Sequence, residues 1–85
     1  MKKITIYTTP YCPFCIRAKQ LLKNKNIEFQ EIDLSEEPDQ FDGMSKKSNG
    51  ARTVPQIFVD DTHIGDCDYI HELDNKGKLD KILGI

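Results

Sequence analysis

The sequence predicts an α/β fold in which helices flank a four-stranded mixed sheet, with the elements in the order β-α-β-α-β-β-α. Three observations lead to this prediction. Four short segments have the composition of strands, and the first two alternate apolar and polar residues, which is the periodicity of strands. Between the first two segments, apolar residues recur at helical spacing, and a helix that connects neighbouring strands favours their parallel pairing. Two acidic residues join the last two segments, as in a β-hairpin.

The first half of the chain is predicted to be a right-handed β-α-β unit. A first strand covers residues 3–8, where Ile4 and Ile6 alternate with polar neighbours. A helix follows from residue 13 to about residue 24, and a second strand covers residues 27–34. The apolar face of this helix comprises Phe14, Cys15, Ala18, Leu21 and Leu22.

The second half is predicted to contain a helix, a hairpin and a last helix. The helix over residues 35–47 has acidic residues in its first turn and lysines in its last, the order that the helix dipole favours. Residues 56–59 and 62–64 are then two strands around the Asp60-Asp61 turn. After Gly65 the chain forms a last helix and a terminal turn.

Length and composition restrict the class of protein. A chain of 85 residues has room for one domain, which we expect to span residues 1–85. Hydrophobic residues make up 38% of the chain and charged residues 31%, a balance expected of a globular protein in water rather than of a disordered chain. The net charge of -2 is spread along the sequence, so no nucleic-acid partner is expected.

The sequence also predicts the compartment. Its first residues carry neither a long apolar stretch nor a small-residue cleavage site, so we expect no secretory signal, no membrane association and a cytoplasmic location. The chain has three cysteines, an odd number, whereas secreted scaffolds held by disulfides carry pairs. In a reducing compartment, a closely spaced cysteine pair indicates redox or metal chemistry.

Cys12 and Cys15 form such a pair, between the first predicted strand and the first predicted helix. Pro13 suits the first helical position, which makes Cys12 the predicted N-cap, with its sulfur facing free backbone N–H groups. The N–H groups of Phe14 and Cys15 and the Cys15 thiol are the available donors, and they favour the thiolate, which is the form that attacks a disulfide. Cys12 is therefore the predicted nucleophile, and Cys15, inside the first turn, is the predicted resolving thiol.

Two other interpretations of the pair are open. The cysteines could be small buried residues, or they could supply half of a zinc site. Zinc would need two more ligands, and the plausible donors Cys67, His63 and His71 do not form a second closely spaced pair. We therefore expect no metal. Cys67 is expected to pack in the core, and the two histidines are expected to be solvated.

Three separated motifs follow one another along the chain. They are Cys12-Pro13-Phe14-Cys15, Arg52-Thr53-Val54-Pro55 and Gly65-Asp66-Cys67-Asp68. The set resembles that of the glutaredoxins, the glutathione-dependent branch of the thioredoxin fold, whose first motif is Cys-Pro-Tyr-Cys and whose third is Gly-Gly-x-Asp. The resemblance covers nearly the whole chain, and it implies that the predicted α/β arrangement is a thioredoxin fold.

The resemblance implies a binding site for glutathione. It implies a cis Val54-Pro55 bond that faces the cysteine pair and leaves the Val54 N–H and C=O free to pair with an extended thiol peptide. Taken alone, this segment is more simply interpreted as an extended residue before a proline. The resemblance also implies that the backbone of Cys67 and Asp68 binds the glutamyl carboxylate and that the Asp68 side chain binds the amino group. Capping of the last helix by Asp66 or Asp68 is the alternative.

Residues around the motifs complete the predicted site. Family members often carry a lysine before the first cysteine, but Thr8 and Thr9 stand there. Arg52 is the expected partner of the glycine carboxylate of glutathione, and Lys47 is the second candidate. The alternative is that Arg52 is a solvated surface residue. Asp66 replaces the family's second glycine, and its charge is expected either to weaken glutathione binding or to shift the bound pose. The residues expected to contact glutathione are Tyr11, Phe14, Arg52, Thr53, Val54, Pro55, Cys67 and Asp68.

The resemblance implies a glutathione-dependent thiol-disulfide oxidoreductase that acts as a monomer on glutathionylated and disulfide-containing proteins. Cys12 takes glutathione from a mixed disulfide, a second glutathione frees Cys12, and Cys15 resolves protein disulfides. Two alternatives are a redoxin reduced by a flavoprotein reductase and an iron-sulfur carrier in which two chains share a cluster through Cys12 and glutathione. Pro13 disfavours the carrier, since family members that hold clusters usually lack this proline.

Overall fold

The structure, a computed structural model, describes residues 2–85. Within that range the elements are four strands and four helices. The strands are β1 (Ile4–Thr8), β2 (Gln30–Asp33), β3 (Gln56–Val59) and β4 (Thr62–Gly65). The helices are α1 (Pro13–Asn24), α2 (Gln40–Lys47), α3 (Cys67–Asn75) and α4 (Leu79–Leu83). The predicted order of elements is confirmed, and the predicted terminal turn is the short helix α4.

The strands form a mixed sheet in the order β2-β1-β3-β4. β1 and β2 are parallel, whereas β1 pairs antiparallel with β3 and β3 pairs antiparallel with β4. Because β1 and β3 are antiparallel, with Tyr7 opposite Gln56, the loop after β1 and the segment before β3 lie at the same end of the sheet. The sheet therefore brings Cys12 and Val54-Pro55 to the same end of its two central strands.

Two apolar clusters cover the two faces of the sheet. Side chains alternate along β1, so Ile4 and Ile6 face the larger cluster, under α1, α3 and α4, while Tyr7 faces the smaller one, under α2. β3 alternates in the same way, and all residues of both strands are buried. Each fully buried Ile or Leu side chain stabilises the fold by about 1.5–3 kcal/mol, so these central strands form a rigid base for the loops at their ends.

Two element boundaries differ from the sequence prediction by more than one residue. The predicted start of a helix at residue 35 is wrong, because the Asp33 carboxylate accepts hydrogen bonds from the Ser35 N–H and hydroxyl, and Pro38 lacks an N–H. α2 begins only at Gln40. The second strand was predicted from residue 27, but the Ile27 N–H donates to the Leu22 C=O at 3.0 Å and so closes the end of α1.

The helices can also be compared with the thickness of a lipid bilayer. Within residues 2–85, no helix is both long enough and apolar enough to span a membrane.

Candidate active site

Cys12 is the N-cap of α1, as the sequence predicts. Its half-buried sulfur accepts a hydrogen bond from the Cys15 N–H at 3.1 Å, which is one of the predicted donors. The structure describes the whole first turn of α1, and this turn contains no acidic residue. A hydrogen bond to a charged acceptor contributes about 1.5–3 kcal/mol and a helix terminus about 0.3–1 kcal/mol, so the N–H of Cys15 makes the larger contribution to a thiolate at Cys12.

Cys15 lies behind Cys12 and is only 1% exposed. Burial, followed by the hydrogen bond with Cys12, raises the pKa of the Cys15 thiol to about 12. Both cysteines are free thiols, so the structure shows the reduced pair. The two sulfurs therefore differ: one is open to solvent beside backbone N–H groups, and the other is buried and protonated at neutral pH.

The segment before β3 faces the Cys12 sulfur. The Val54-Pro55 peptide bond is cis, as expected, and the Cys12 thiol donates to the Val54 C=O at 3.9 Å. Pro55 is buried and has no N–H to offer. Among residues 2–85, the Val54 N–H has no hydrogen-bond acceptor. An unpaired main-chain group beside the sulfur is the arrangement to which an extended peptide can add.

The start of α3 borders the same site. Asp66 is its N-cap, and its carboxylate accepts from the Tyr69 N–H at 3.0 Å, so the capping alternative holds for Asp66. Its extended backbone, with φ of -103°, does not require glycine. Gly65 does, because its φ is +147° and a Cβ there would lie 2.6 Å from the Tyr69 ring. Within the described chain, the N–H groups of Cys67 and Asp68 have no acceptor, which leaves them available to an anion.

The aromatic and cationic residues of the predicted site lie around Cys12. The side chain of Tyr11 is fully exposed, and that of Phe14 is 50% exposed, with the Arg17 guanidinium 6.0 Å from its ring centroid. The Arg52 guanidinium lies 5.2 Å from the Phe41 ring centroid, at cation-π distance. Arg52 is exposed to solvent, and this contact places its guanidinium over Phe41.

A cavity of about 530 Å³ lies beside Val54. Its lining comprises Thr9, Leu34, Ser35, Phe41, Arg52, Thr53 and Val54. Lys47, the second predicted cation, does not line this cavity and instead lies 4.0 Å from Asp61 in the hairpin turn. No group of three or more histidine, cysteine, aspartate or glutamate side chains placed to hold a metal occurs among residues 2–85.

The prediction that both histidines are solvated is wrong. His63 Nε2 lies 2.7 Å from Gln56 Oε1, and its ring centroid lies 5.2 Å from that of Phe58. Burial lowers the pKa of His63. His71 Nδ1 lies 2.9 Å from the Cys67 C=O. Cys67 itself is buried, as expected of a packing residue, and burial raises the pKa of its thiol.

An ion pair near Cys15 was missed in the sequence. Lys19 follows Cys15 by one helical turn, and its ammonium lies 2.9 Å from Glu31 Oε2, which also accepts from the Thr8 hydroxyl at 2.7 Å. Burial of the Glu31 carboxyl would raise its pKa, but these two hydrogen bonds outweigh burial and lower it. The available signal was a lysine four residues after the second cysteine, on the same helix face.

Known proteins are similar to this chain in both sequence and fold. Residues 4–64 match the family model described as Glutaredoxin. The chain is 48% identical over 83 residues to a glutaredoxin of Pseudomonas aeruginosa, with 98% of each chain covered. The solution structure of a Brucella melitensis glutaredoxin aligns with a TM-score of 0.83 and 46% identity, covering 98% of this chain and 89% of that one. A buckwheat glutaredoxin-glutathione complex aligns with a TM-score of 0.85 and 31% identity, covering 96% and 76%.

Proposed function

The chain belongs to the glutaredoxin family of oxidoreductases, and we propose that it is a glutathione-dependent enzyme that reduces glutathione mixed disulfides and protein disulfides. The observation that carries the proposal is the asymmetry of the cysteine pair: Cys12 is half-buried at the start of α1, and Cys15 is buried behind it. A substrate can reach the first sulfur, whereas the second can attack only what is attached to the first.

Reduction of a glutathione mixed disulfide needs Cys12 alone. Its thiolate attacks the glutathione sulfur, the disulfide bond breaks, and the substrate leaves as a thiolate that takes a proton from solvent. The Cys15 N–H, 3.1 Å from the Cys12 sulfur, stabilises the attacking thiolate and again the Cys12 thiolate that is released later. A second glutathione then attacks the glutathione sulfur on Cys12, which gives oxidised glutathione and regenerates the enzyme.

Reduction of a protein disulfide needs both cysteines. After Cys12 has formed a mixed disulfide with the substrate, the Cys15 thiol loses its proton and attacks the Cys12 sulfur, which releases the substrate as a dithiol. Two glutathione molecules then reduce the Cys12–Cys15 disulfide. Burial disfavours the Cys15 thiolate, so this resolving step should become faster as the pH rises.

Three groups of the chain are proposed to bind glutathione. The Val54 main chain pairs with the cysteinyl part of the ligand, and Thr53 and Pro55 hold that segment in place. The N–H groups of Cys67 and Asp68 bind the glutamyl carboxylate, and the exposed Asp68 side chain binds the amino group. Arg52 binds the glycine carboxylate across the cavity beside Val54, and Tyr11 and Phe14 form an apolar rim. The aligned buckwheat glutaredoxin is itself a glutathione complex, which supports this assignment.

The setting of the reaction follows from its chemistry. A dithiol that must be returned to its reduced form needs a reducing compartment, so we place the protein in the cytoplasm. Glutathione and glutathionylated or disulfide-containing proteins are its proposed partners, and the reaction requires no metal and no second copy of the chain.

Glutathione-dependent turnover of a small glutathione mixed disulfide tests the proposal, with the oxidised glutathione produced as the readout. Cys12→Ser should abolish turnover, because no nucleophile remains. Cys15→Ser should retain this reaction and lose reduction of protein disulfides. Equal loss in both variants would contradict the assigned roles. Turnover with a flavoprotein thioredoxin reductase, but not with glutathione, would support the redoxin alternative instead.

A further inference from the structure

A buried glutamine connects the hairpin to the segment that faces Cys12. Gln56 lies at the start of β3 and is 3% exposed. Its Nε2 lies 3.1 Å from the Thr53 C=O oxygen and 3.4 Å from the Thr53 hydroxyl oxygen, and its Oε1 lies 2.7 Å from His63 Nε2. Both ends of the amide are therefore used, as a buried polar group requires.

The partners determine the direction of each hydrogen bond. A carbonyl oxygen only accepts, so the NH₂ group of Gln56 faces Thr53 and its oxygen faces His63. His63 must then carry its proton on Nε2 and donate it to Gln56. Burial lowers the pKa of His63 and so favours the neutral ring, whose contact with Phe58 fixes its plane. The bonds run from His63 through Gln56 to Thr53.

The Thr53 carbonyl belongs to the peptide unit that carries the Val54 N–H. The cis bond of this segment is Val54-Pro55, and the Thr53-Val54 bond is trans. In a planar trans peptide the C=O and N–H point in opposite directions. A bond that draws the Thr53 C=O towards Gln56 therefore turns the Val54 N–H away from Gln56. The same Val54 residue presents its C=O to the Cys12 thiol at 3.9 Å.

We propose that Gln56 and His63 are positioning residues that fix the direction of the Val54 N–H, and thereby align an extended thiol substrate with Cys12. The inference rests on the proposed function, in which the Val54 main chain binds the substrate. Gln56 acts through the Thr53-Val54 peptide, and His63 acts through Gln56. Neither side chain takes part in the chemical step.

Two substitutions interrupt the bonds at different points. Gln56→Met keeps length and burial but cannot donate to Thr53, so the KM for a glutathione mixed disulfide should rise roughly 3- to 10-fold, the range expected for one hydrogen bond. His63→Phe keeps the ring against Phe58 but cannot donate to Gln56, and should raise KM roughly 2- to 5-fold. kcat should stay within about twofold in both, because the substrate and the transition state lose the same contact.

A second readout separates positioning from general damage. Alkylation of Cys12 by iodoacetamide needs the thiolate but no main-chain pairing, so its rate at pH 7 should be the same in both variants as in the unmodified chain. His63→Gln returns an N–H donor near the Nε2 position and should restore KM to within about twofold. Gln20→Met is the matched control. Gln20 is an exposed glutamine of α1 whose side chain donates a hydrogen bond to Asn24. Its replacement should change neither KM nor the alkylation rate.

The outcomes distinguish this inference from the proposed function. If the unmodified chain does not turn over the mixed disulfide with glutathione, the proposed function fails. If it does, and Gln56→Met and His63→Phe leave KM unchanged, the positioning role is overturned while the function stands. A parallel loss of alkylation and turnover would also overturn it, since that result indicates general disruption. If Gln56→Met unfolds, His63→Phe decides, because it leaves the Gln56–Thr53 bond in place.

Discussion

At the start of α1 and at the start of α3, the N-cap side chain accepts a hydrogen bond from the N–H three residues later. The distances are 3.1 Å to the sulfur of Cys12 and 3.0 Å to the carboxylate of Asp66. The α3 cap carries a permanent charge, and Asp68 adds a second acid in the first turn. The α1 cap is a thiol. The first turn of α1, which the structure describes in full, contains no acidic residue. The same local geometry therefore holds a carboxylate at one helix and a sulfur at the other.

The two caps differ in whether the capping side chain can form a covalent bond. A carboxylate cap stabilises a helix by about 0.5–2 kcal/mol, and Asp66 can do this permanently because it forms no covalent bond. In the proposed mechanism, Cys12 uses the same kind of N–H donor only while its sulfur is free, so the donor would stabilise the attacking and leaving forms of the thiolate. At α3, the cap occupies the N–H of Tyr69 and leaves two further N–H groups for a ligand.

Serine at each cap gives the largest expected contrast. Serine is a good N-cap, so Cys12→Ser and Asp66→Ser should each change the free energy of unfolding by no more than about 1 kcal/mol. Cys12→Ser should lower glutathione-dependent turnover roughly 1,000-fold or more, because it removes the nucleophile. Asp66→Ser should leave turnover within about threefold, since Asp66 forms no bond to the substrate sulfur. Urea unfolding and the turnover assay check both values, and similar losses of activity at the two caps would break the comparison.

The pH dependence of Cys15 is the next largest effect. Burial and the Cys12 bond raise the pKa of Cys15 to about 12, so the thiol is protonated throughout the neutral range. In the mixed disulfide the Cys12 sulfur carries the substrate, but burial, the larger cause, still holds the pKa of Cys15 above its ordinary value. An acid below its pKa gains about tenfold in its ionised fraction per pH unit, so the rate at which Cys15 releases a bound protein thiol should rise about tenfold per unit from pH 6 to pH 8. Single-turnover release of the substrate measures this rate, and a flat profile would contradict the account.

Removing the charge at α3 should give the smallest effect. Asp66→Asn keeps an oxygen for the Tyr69 N–H but takes a negative charge away from the proposed glutamyl carboxylate site, so KM for glutathione should fall about two- to threefold. The matched control is Asp39→Asn, which removes a charge at the start of α2, where the side chain makes no cap hydrogen bond. That variant should leave KM unchanged. A KM that rises in Asp66→Asn would show that the carboxylate helps binding.

Much of the fold follows from local sequence. The bounds of α1 agree with the prediction, because Pro13 marks the first turn and the apolar spacing continues almost to its end. The bounds of β3 were predicted equally well. The start of β2 was not, because Ile27 alternates as a strand residue should while its N–H is used by the Leu22 carbonyl. α2 starts late because of Asp33 and Pro38, whose turn competes with the helical pattern.

Local sequence predicted the cap within one segment, and the family resemblance supplied the cis Val54-Pro55 bond that faces Cys12. Two other contacts between separate segments were missed. The cap at Cys12 depends on neighbouring residues and is confirmed. The contact between His63 and Gln56 depends on the register of β3 against β4, which shifts between Ile57 and Phe58. The bond between Lys19 and Glu31 likewise requires α1 to lie over β2. Spacing along the chain carries no information about such distances.

Locating the covalent intermediate tests most directly the claim that the sulfur at the start of α1 is the nucleophile. The Cys15→Ser variant would be mixed with a glutathione mixed disulfide at pH 7, quenched with acid, and its glutathione adduct mapped by peptide mass spectrometry. The account predicts glutathione on Cys12. An adduct on Cys67, or no adduct while the substrate is still reduced, would contradict it.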